Sequence, residues 1–240
     1  MMQPYIIFNG ADSRDLGVVV EKLPEFHRPA RSVELVQIPG RDGRLELDNE
    51  SHDVYTTTFR INCFGVPLAD VYAWLSGAAW LVSSEEPDRA VWASLHMQVK
   101  NDRFRCGGCY DSLTVTAYCQ PFRYFHPRPE PVTLTASPAT VTNPGTAAAR
   151  PVITIEGSGD ISVLIGQSRM DFEGLTDGIV VDCEMLECFS LDGATLMNAH
   201  ADLSDPETSD GFPQLLPGGN GVQWTGAVTK ITIDGGWRDL

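Results

Sequence analysis

A mainly β fold in two domains is the expectation, and three observations carry it. Short runs alternate between apolar and polar residues along most of the chain. Reversals rich in glycine and proline separate those runs, most densely in the last hundred residues. Only one segment changes to a helical period. Alternation at period two marks a half-buried strand, and glycine and proline set where a chain must turn. At 240 residues, with 42% hydrophobic and 20% charged side chains, the chain can build a proper core in one large β domain or two small ones.

Strand patterns start at once. Ile6 and Phe8 share a face, then Val18 and Val20, then Leu35 and its neighbours up to Ile38. Ile38-Pro39-Gly40-Arg41-Asp42-Gly43 runs into a tight, polar reversal, and Leu45 and Leu47 resume the pattern. Tyr55, Thr57, Phe59, Ile61 and Cys63 form one face of a longer strand rich in β-branched and aromatic residues. Val71, Trp74, Leu75, Ala78 and Val82 then fall at i, i+3, i+4, i+7 and i+11, which predicts an amphipathic helix over about 69–82. Asp70 favours the positive end of its dipole, and Gly77 inside it costs about 1 kcal/mol of propensity. Ser83–Arg89 reads as a polar loop that ends it. Val91, Ala93, Leu95, Met97 and Val99 alternate next, Asn101-Asp102-Arg103 reads as a turn, and Leu113, Val115, Ala117 and Cys119 form a further strand.

His126–Pro131, with prolines at 127, 129 and 131, has no periodicity and sets the boundary between domains 1–128 and 129–240. Beyond it the signals run in order. They are Asn143-Pro144-Gly145-Thr146, Arg150-Pro151 before Val152-Ile153-Thr154-Ile155, Gly157-Ser158-Gly159 as a turn between strands, and Phe212-Pro213. Leu216-Pro217-Gly218-Gly219-Asn220 follows, and Ile231-Thr232-Ile233-Asp234 leads to Trp237-Arg238. This half reads as a β-sandwich.

Charge narrows the function. The net charge is −15, split as −4 over residues 1–142 (13 basic, 17 acidic) and −11 over residues 143–240 (4 basic, 15 acidic). Such a surface repels phosphate backbones, which argues against nucleic-acid binding as the main role and suits a conduit that DNA crosses without sticking. Arg28, Arg31, Arg41 and Arg44 form a loose basic group, read either as a solvated loop or as a face for an acidic surface on another subunit. Residues 1–10 lack the pattern of a signal peptide, and no run reaches the roughly 20 apolar residues of a membrane-spanning helix. Synthesis in the cytosol is expected, with Cys63, Cys106, Cys109, Cys119, Cys183 and Cys188 as thiols.

Motifs for chemistry are weak. Cys106-Gly107-Gly108-Cys109 is a lone CxxC without the second pair a structural zinc site wants, and it reads as a turn with two thiols ahead of zinc or redox chemistry. Cys183 and Cys188 read as small buried hydrophobes. Gly166-Gln167-Ser168-Arg169 lacks the closing glycine of a nucleophile elbow, and the five histidines are scattered. No enzyme activity and no cofactor are expected.

The ordered set of pieces resembles the distal tail protein (Dit) family of bacteriophages with long, non-contractile tails. The pieces are Phe8-Asn9-Gly10 with Leu16-Gly17-Val18, Ile38–Gly43, Trp74-Leu75 before Ser84–Arg89, Asn143–Thr146 with Pro151–Ile155, and Phe212-Pro213 with Leu216–Asn220 and Trp237. The resemblance implies an N-terminal β-sandwich or split-barrel-like domain with one helix, followed by a galectin-like (jelly-roll) β-sandwich. It further implies a hexameric ring at the host-facing end of the virion tail. There the ring joins the major tail tube protein to the tail-associated hub protein, often anchors receptor-binding proteins, and passes DNA. Ile38, Pro39, Gly40, Arg41, Asp42 and Gly43 are the candidate interface residues. The competing reading is a glycan-binding module for host attachment, with Trp224 and Trp237 as its aromatic platform. A cell-wall-degrading enzyme stands behind both.

Overall fold

The computed structural model describes residues 3–95, 100–105, 109–203 and 211–240. It is mainly β, and its two compact units comprise residues 1–127 with 240, and residues 128–239.

The first unit is built on β1 (Ile6–Phe8), β2 (Ala11–Asp12), β3 (Val18–Lys22), β4 (Arg31–Val36), β5 (Leu45–His52), β6 (Tyr55–Cys63), β7 (Ala78–Ser83), β8 (Glu86–Ser94), β9 (Lys100–Arg105) and β10 (Cys109–Phe125). An antiparallel sheet runs in the order β2-β1-β7-β8-β10-β6-β3, and β9 also pairs with β10. Its inner face follows the alternation in the sequence. Ile6, Phe8, Val18, Val20, Phe59, Ile61, Leu81, Val91, Leu113 and Val115 are all buried, and each such side chain contributes about 1.5–3 kcal/mol. The helix α1 (Leu68–Trp74) adds Val71 and Trp74 to this core, and the Trp74 indole N–H donates to the Phe8 carbonyl at 2.9 Å.

Three expectations for this unit are corrected. The helix stops at Trp74 rather than near residue 82, because Gly77 takes a left-handed φ of 83° and Ala78–Ser83 pairs between β1 and β8. Two strand partners outweigh a helical stripe that residues 78 and 82 match by coincidence. Ser83–Arg89 is not one loop. The chain reverses at Ser84-Glu85, and Glu86–Arg89 already belongs to β8 through a bulge around Pro87. Asn101-Asp102-Arg103 is a strand rather than a turn, pairing with Leu113, Ser112 and Asp111. Polar residues are tolerated there because, among the described residues, β9 pairs only with β10 and so lies at an edge.

The second unit comprises β11 (Val132–Leu134), β12 (Ala139–Asn143), β13 (Val152–Ile165), β14 (Ser168–Leu175), β15 (Gly178–Asp182), β16 (Glu187–Phe189), β17 (Ala201–Asp202) and β18 (Gly218–Asp234). The long strands β13 and β18 pair with each other along most of their length. At one end β13 carries β15 and β18 carries β11; at the other end their outer partners are β14 and β12. The partner change falls at Gly157–Asp160, where the register shifts. Gly157-Ser158-Gly159 is thus not a turn, as expected from its composition, but a bulge inside one continuous strand. Side chains are excluded at this crossing. A Cβ on Gly157 would lie 2.5 Å from the Ala227 carbonyl oxygen, and one on Gly226 would lie 2.5 Å from that of Asp160. Ile153, Ile155, Ile161, Val163, Phe172, Ile179, Val181, Ile231 and Ile233 are all buried.

Candidate interaction surfaces

The turn motifs of the second unit are tied to one another. The Asn143 amide donates to the carbonyls of Ala147 (3.0 Å) and Leu215 (2.8 Å), while its oxygen accepts from the Gly145 N–H. Asn220 accepts from the Leu216 N–H (2.9 Å) and donates to the Leu216 and Gly218 carbonyls. Arg238 is buried, and its Nε donates to the Ala148 carbonyl at 2.7 Å. Trp237 is only 6% exposed, with its ring against Gly235, and Trp224 is half-buried. Trp237 therefore serves the fold and offers no flat ring to a sugar.

Chemistry has little to work with. Among the described residues no three His, Cys, Asp or Glu side chains converge as a metal site. An open groove of about 550 Å³ lies beside the bulge, between Glu156, Ser158, Asp177 and Thr229. The Glu156 carboxylate there is held by Lys230 at 2.6 Å. Burial pushes the thiols of Cys119, Cys63 and Cys188 up to about 12, 11 and 11, with Asp111 adding to the effect at Cys63. The Cys106-Gly107-Gly108 part of the CxxC and residues 204–210 of the acidic loop lie outside the described residues, and so do Met97 and Val99.

The first unit presents two organised apolar surfaces, a hairpin arm and an aromatic face. β4 and β5 form a two-stranded arm, paired from Arg31–His52 out to Val36–Leu45 and joined to no other strand among those described. Its base is closed by the Asp53 N–H donating to the Ala30 carbonyl, and the His52 ring meets Phe122 of β10 edge-on at 5.8 Å. The six candidate residues Ile38–Gly43 all sit at its tip, and all are exposed. Gly40 and Gly43 there have φ of 81° and 80°, and the Arg41 N–H donates to the Ile38 carbonyl. Apolar side chains follow along the stem, with Val33, Leu35 and Leu47 exposed by 45%, 48% and 45%. A lone hairpin is marginal in water, and this one also exposes apolar residues.

The second surface was not legible in the sequence. On the outer face of the sheet Trp80 of β7 lies directly across from Trp92 of β8, with rings 5.2 Å apart and edge-to-face. Tyr124 of β10 meets Trp80 at 5.1 Å, and Tyr118 is exposed on the same strand. Trp80 and Trp92 are 41% and 39% exposed. The helical reading of residues 69–82 hid this pair; once Gly77 starts a new strand, alternation points both indoles outward.

No protein-family model and no curated protein sequence matches this chain. Solved structures do. Over 97% of this chain and 99% of the other, the architecture superposes with a TM-score of 0.72, and the fold is that of a phage distal tail protein. The structure so matched is Dit (gp 19.1) of phage SPP1, described as a paradigm of the hub adsorption apparatus in phages that infect Gram-positive bacteria, at 16% sequence identity. The phage p2 baseplate in its activated conformation with Sr also matches, with a TM-score of 0.49 and 10% identity, over 96% of this chain and 97% of that one.

Proposed function

We propose that this chain is a structural virion protein, a distal tail adaptor whose copies close into a six-membered ring at the tip of a phage tail. In that role it joins the tail tube to the hub, carries receptor-binding proteins, and lets DNA through. The observation that carries the reading is the likeness to SPP1 Dit across both units, nearly from end to end of both chains. The uncovered arm supports it, because a ring of identical subunits needs two different complementary patches on each. Residues Ile38–Gly43 at the arm's tip are the proposed contact with the neighbouring copy. The acidic balance supports DNA passage without adhesion. The glycan-binding alternative loses ground with Trp237 buried.

Negative-stain images of the purified chain, alone and mixed with the tube and hub proteins encoded beside it, test the reading. Sixfold rings that stack on both partners are expected. A monomer in every mixture, binding neither partner, would contradict it.

A further inference from the structure

Resting on the adaptor reading, we infer that the β15–β16 hairpin of the second unit seats a basic amphipathic helix of another virion protein. The register builds the surface. Val180 lies directly across from Phe189, and Phe189 across from Leu196, so the three side chains share one face. Val180 and Phe189 are half-buried, and Leu196 is 59% exposed. One row further along the same face, Asp182 lies directly across from Glu187. Beyond them the turn displays Met185 and Leu186, 62% and 39% exposed. An apolar row, two facing carboxylates and an apolar tip thus follow one another along one ribbon. Like charges set directly opposite repel, and the chain brings no cation to them. Asp182 accepts the N–H groups of Glu184 and Met185, which orders the turn without neutralising it. Arg238 reaches only Glu184, at 3.7 Å, and neither Asp182 nor Glu187 has a basic partner among the described residues. Leu186 adds a further cost, because its φ of 58° lies in the left-handed region that favours glycine.

Charge names the occupant. Residues 143–240 carry 4 basic and 15 acidic side chains, so this surface repels both its own copy and an anionic membrane. The one α-helix among the described residues, α1, contains no lysine or arginine and buries Val71 and Trp74. The basic helix therefore comes from a different protein. Spacing fits it. Leu186 and Phe189 are three residues apart along the hairpin, roughly 10 Å. Apolar residues at i and i+7 of a helix are about 10.5 Å apart. A helix laid along the hairpin with those two anchors sets its i+3 and i+4 positions over Asp182 and Glu187, where lysine or arginine pairs with them. The apolar anchors supply most of the affinity, and the carboxylates select a basic helix over an acidic one.

The test uses the full chain and a fluorescent helical peptide with leucine at i and i+7 and lysine between them, read by anisotropy. Saturable binding is expected for this peptide and none for its glutamate counterpart. D182N/E187Q and L186G/L196S should each weaken binding roughly tenfold, while E34Q/E46Q on the arm should leave it unchanged. E187Q alone should also raise the melting temperature by up to about 3 °C, since it removes a like-charge pair. Equal binding of the glutamate peptide, or equal loss from E34Q/E46Q and D182N/E187Q, would overturn the seat. So would a parent that forms rings and ignores the lysine peptide, and in that case the ring reading stands. A parent that stays monomeric beside the tube and hub proteins overturns the adaptor reading, and the virion partner named here falls with it.

Discussion

The two units use the same material to opposite ends. In residues 128–239 the ends of the strands are fastened inward, by Asn143, Asn220 and Arg238, and Trp237 is sealed. In residues 1–127 the core is equally well made, yet a hairpin with exposed leucines and a pair of edge-to-face indoles face outward. The second unit also leaves apolar side chains in the open, Leu196, Leu216 and Met185 among them, but none belongs to a free hairpin or an aromatic pair. The first leaves a hairpin and an aromatic face to solvent, as the proposed ring would require.

That contrast can be broken by mutation. The largest effect is expected in the second unit's core, where Phe172 is 1% exposed; F172A should cost about 3–5 kcal/mol in urea unfolding. Next, N220A removes an acceptor and a donor that together hold three main-chain partners around Leu216 and Gly218, and should cost about 1–3 kcal/mol. The smallest is L35A on the arm, expected within about 0.5 kcal/mol of the parent when unfolding starts from the monomer. A large loss from L35A would mean that the arm is part of its own copy's core, and the contrast would fail.

The thiols sharpen the contrast from inside. The thiolate is the reactive form, and burial raises Cys63, Cys119 and Cys188 well above their ordinary range, to about 11, 12 and 11. At pH 8 these groups stay protonated, so maleimide should leave all three unlabelled in the native chain and label them after unfolding. Native labelling of Cys119, read by peptide mass spectrometry, would contradict the packing described for β10.

Much of this was legible from the residues. Alternation found the buried faces of β1, β3, β6 and β10 because each has one wet side and one dry side. The polar reversal at Ile38–Gly43 marked the arm's tip, since its glycines and proline leave little else for the chain to do there. What stayed hidden depended on partners distant in sequence. Residues 78–83 fit a helical stripe until β1 and β8 claim them, and Gly157-Ser158-Gly159 looks like a turn until Ala227 closes on it. The Trp80–Trp92 pair exists only in the register of β7 with β8, which no local pattern records.

Native mass spectrometry of the full-length chain at micromolar concentration tests the central claim most directly. A dominant species of six chains is expected, falling to single chains when residues 37–44 are replaced by a short glycine-serine turn. A parent that flies as single chains, or a six-chain species indifferent to that replacement, would contradict it.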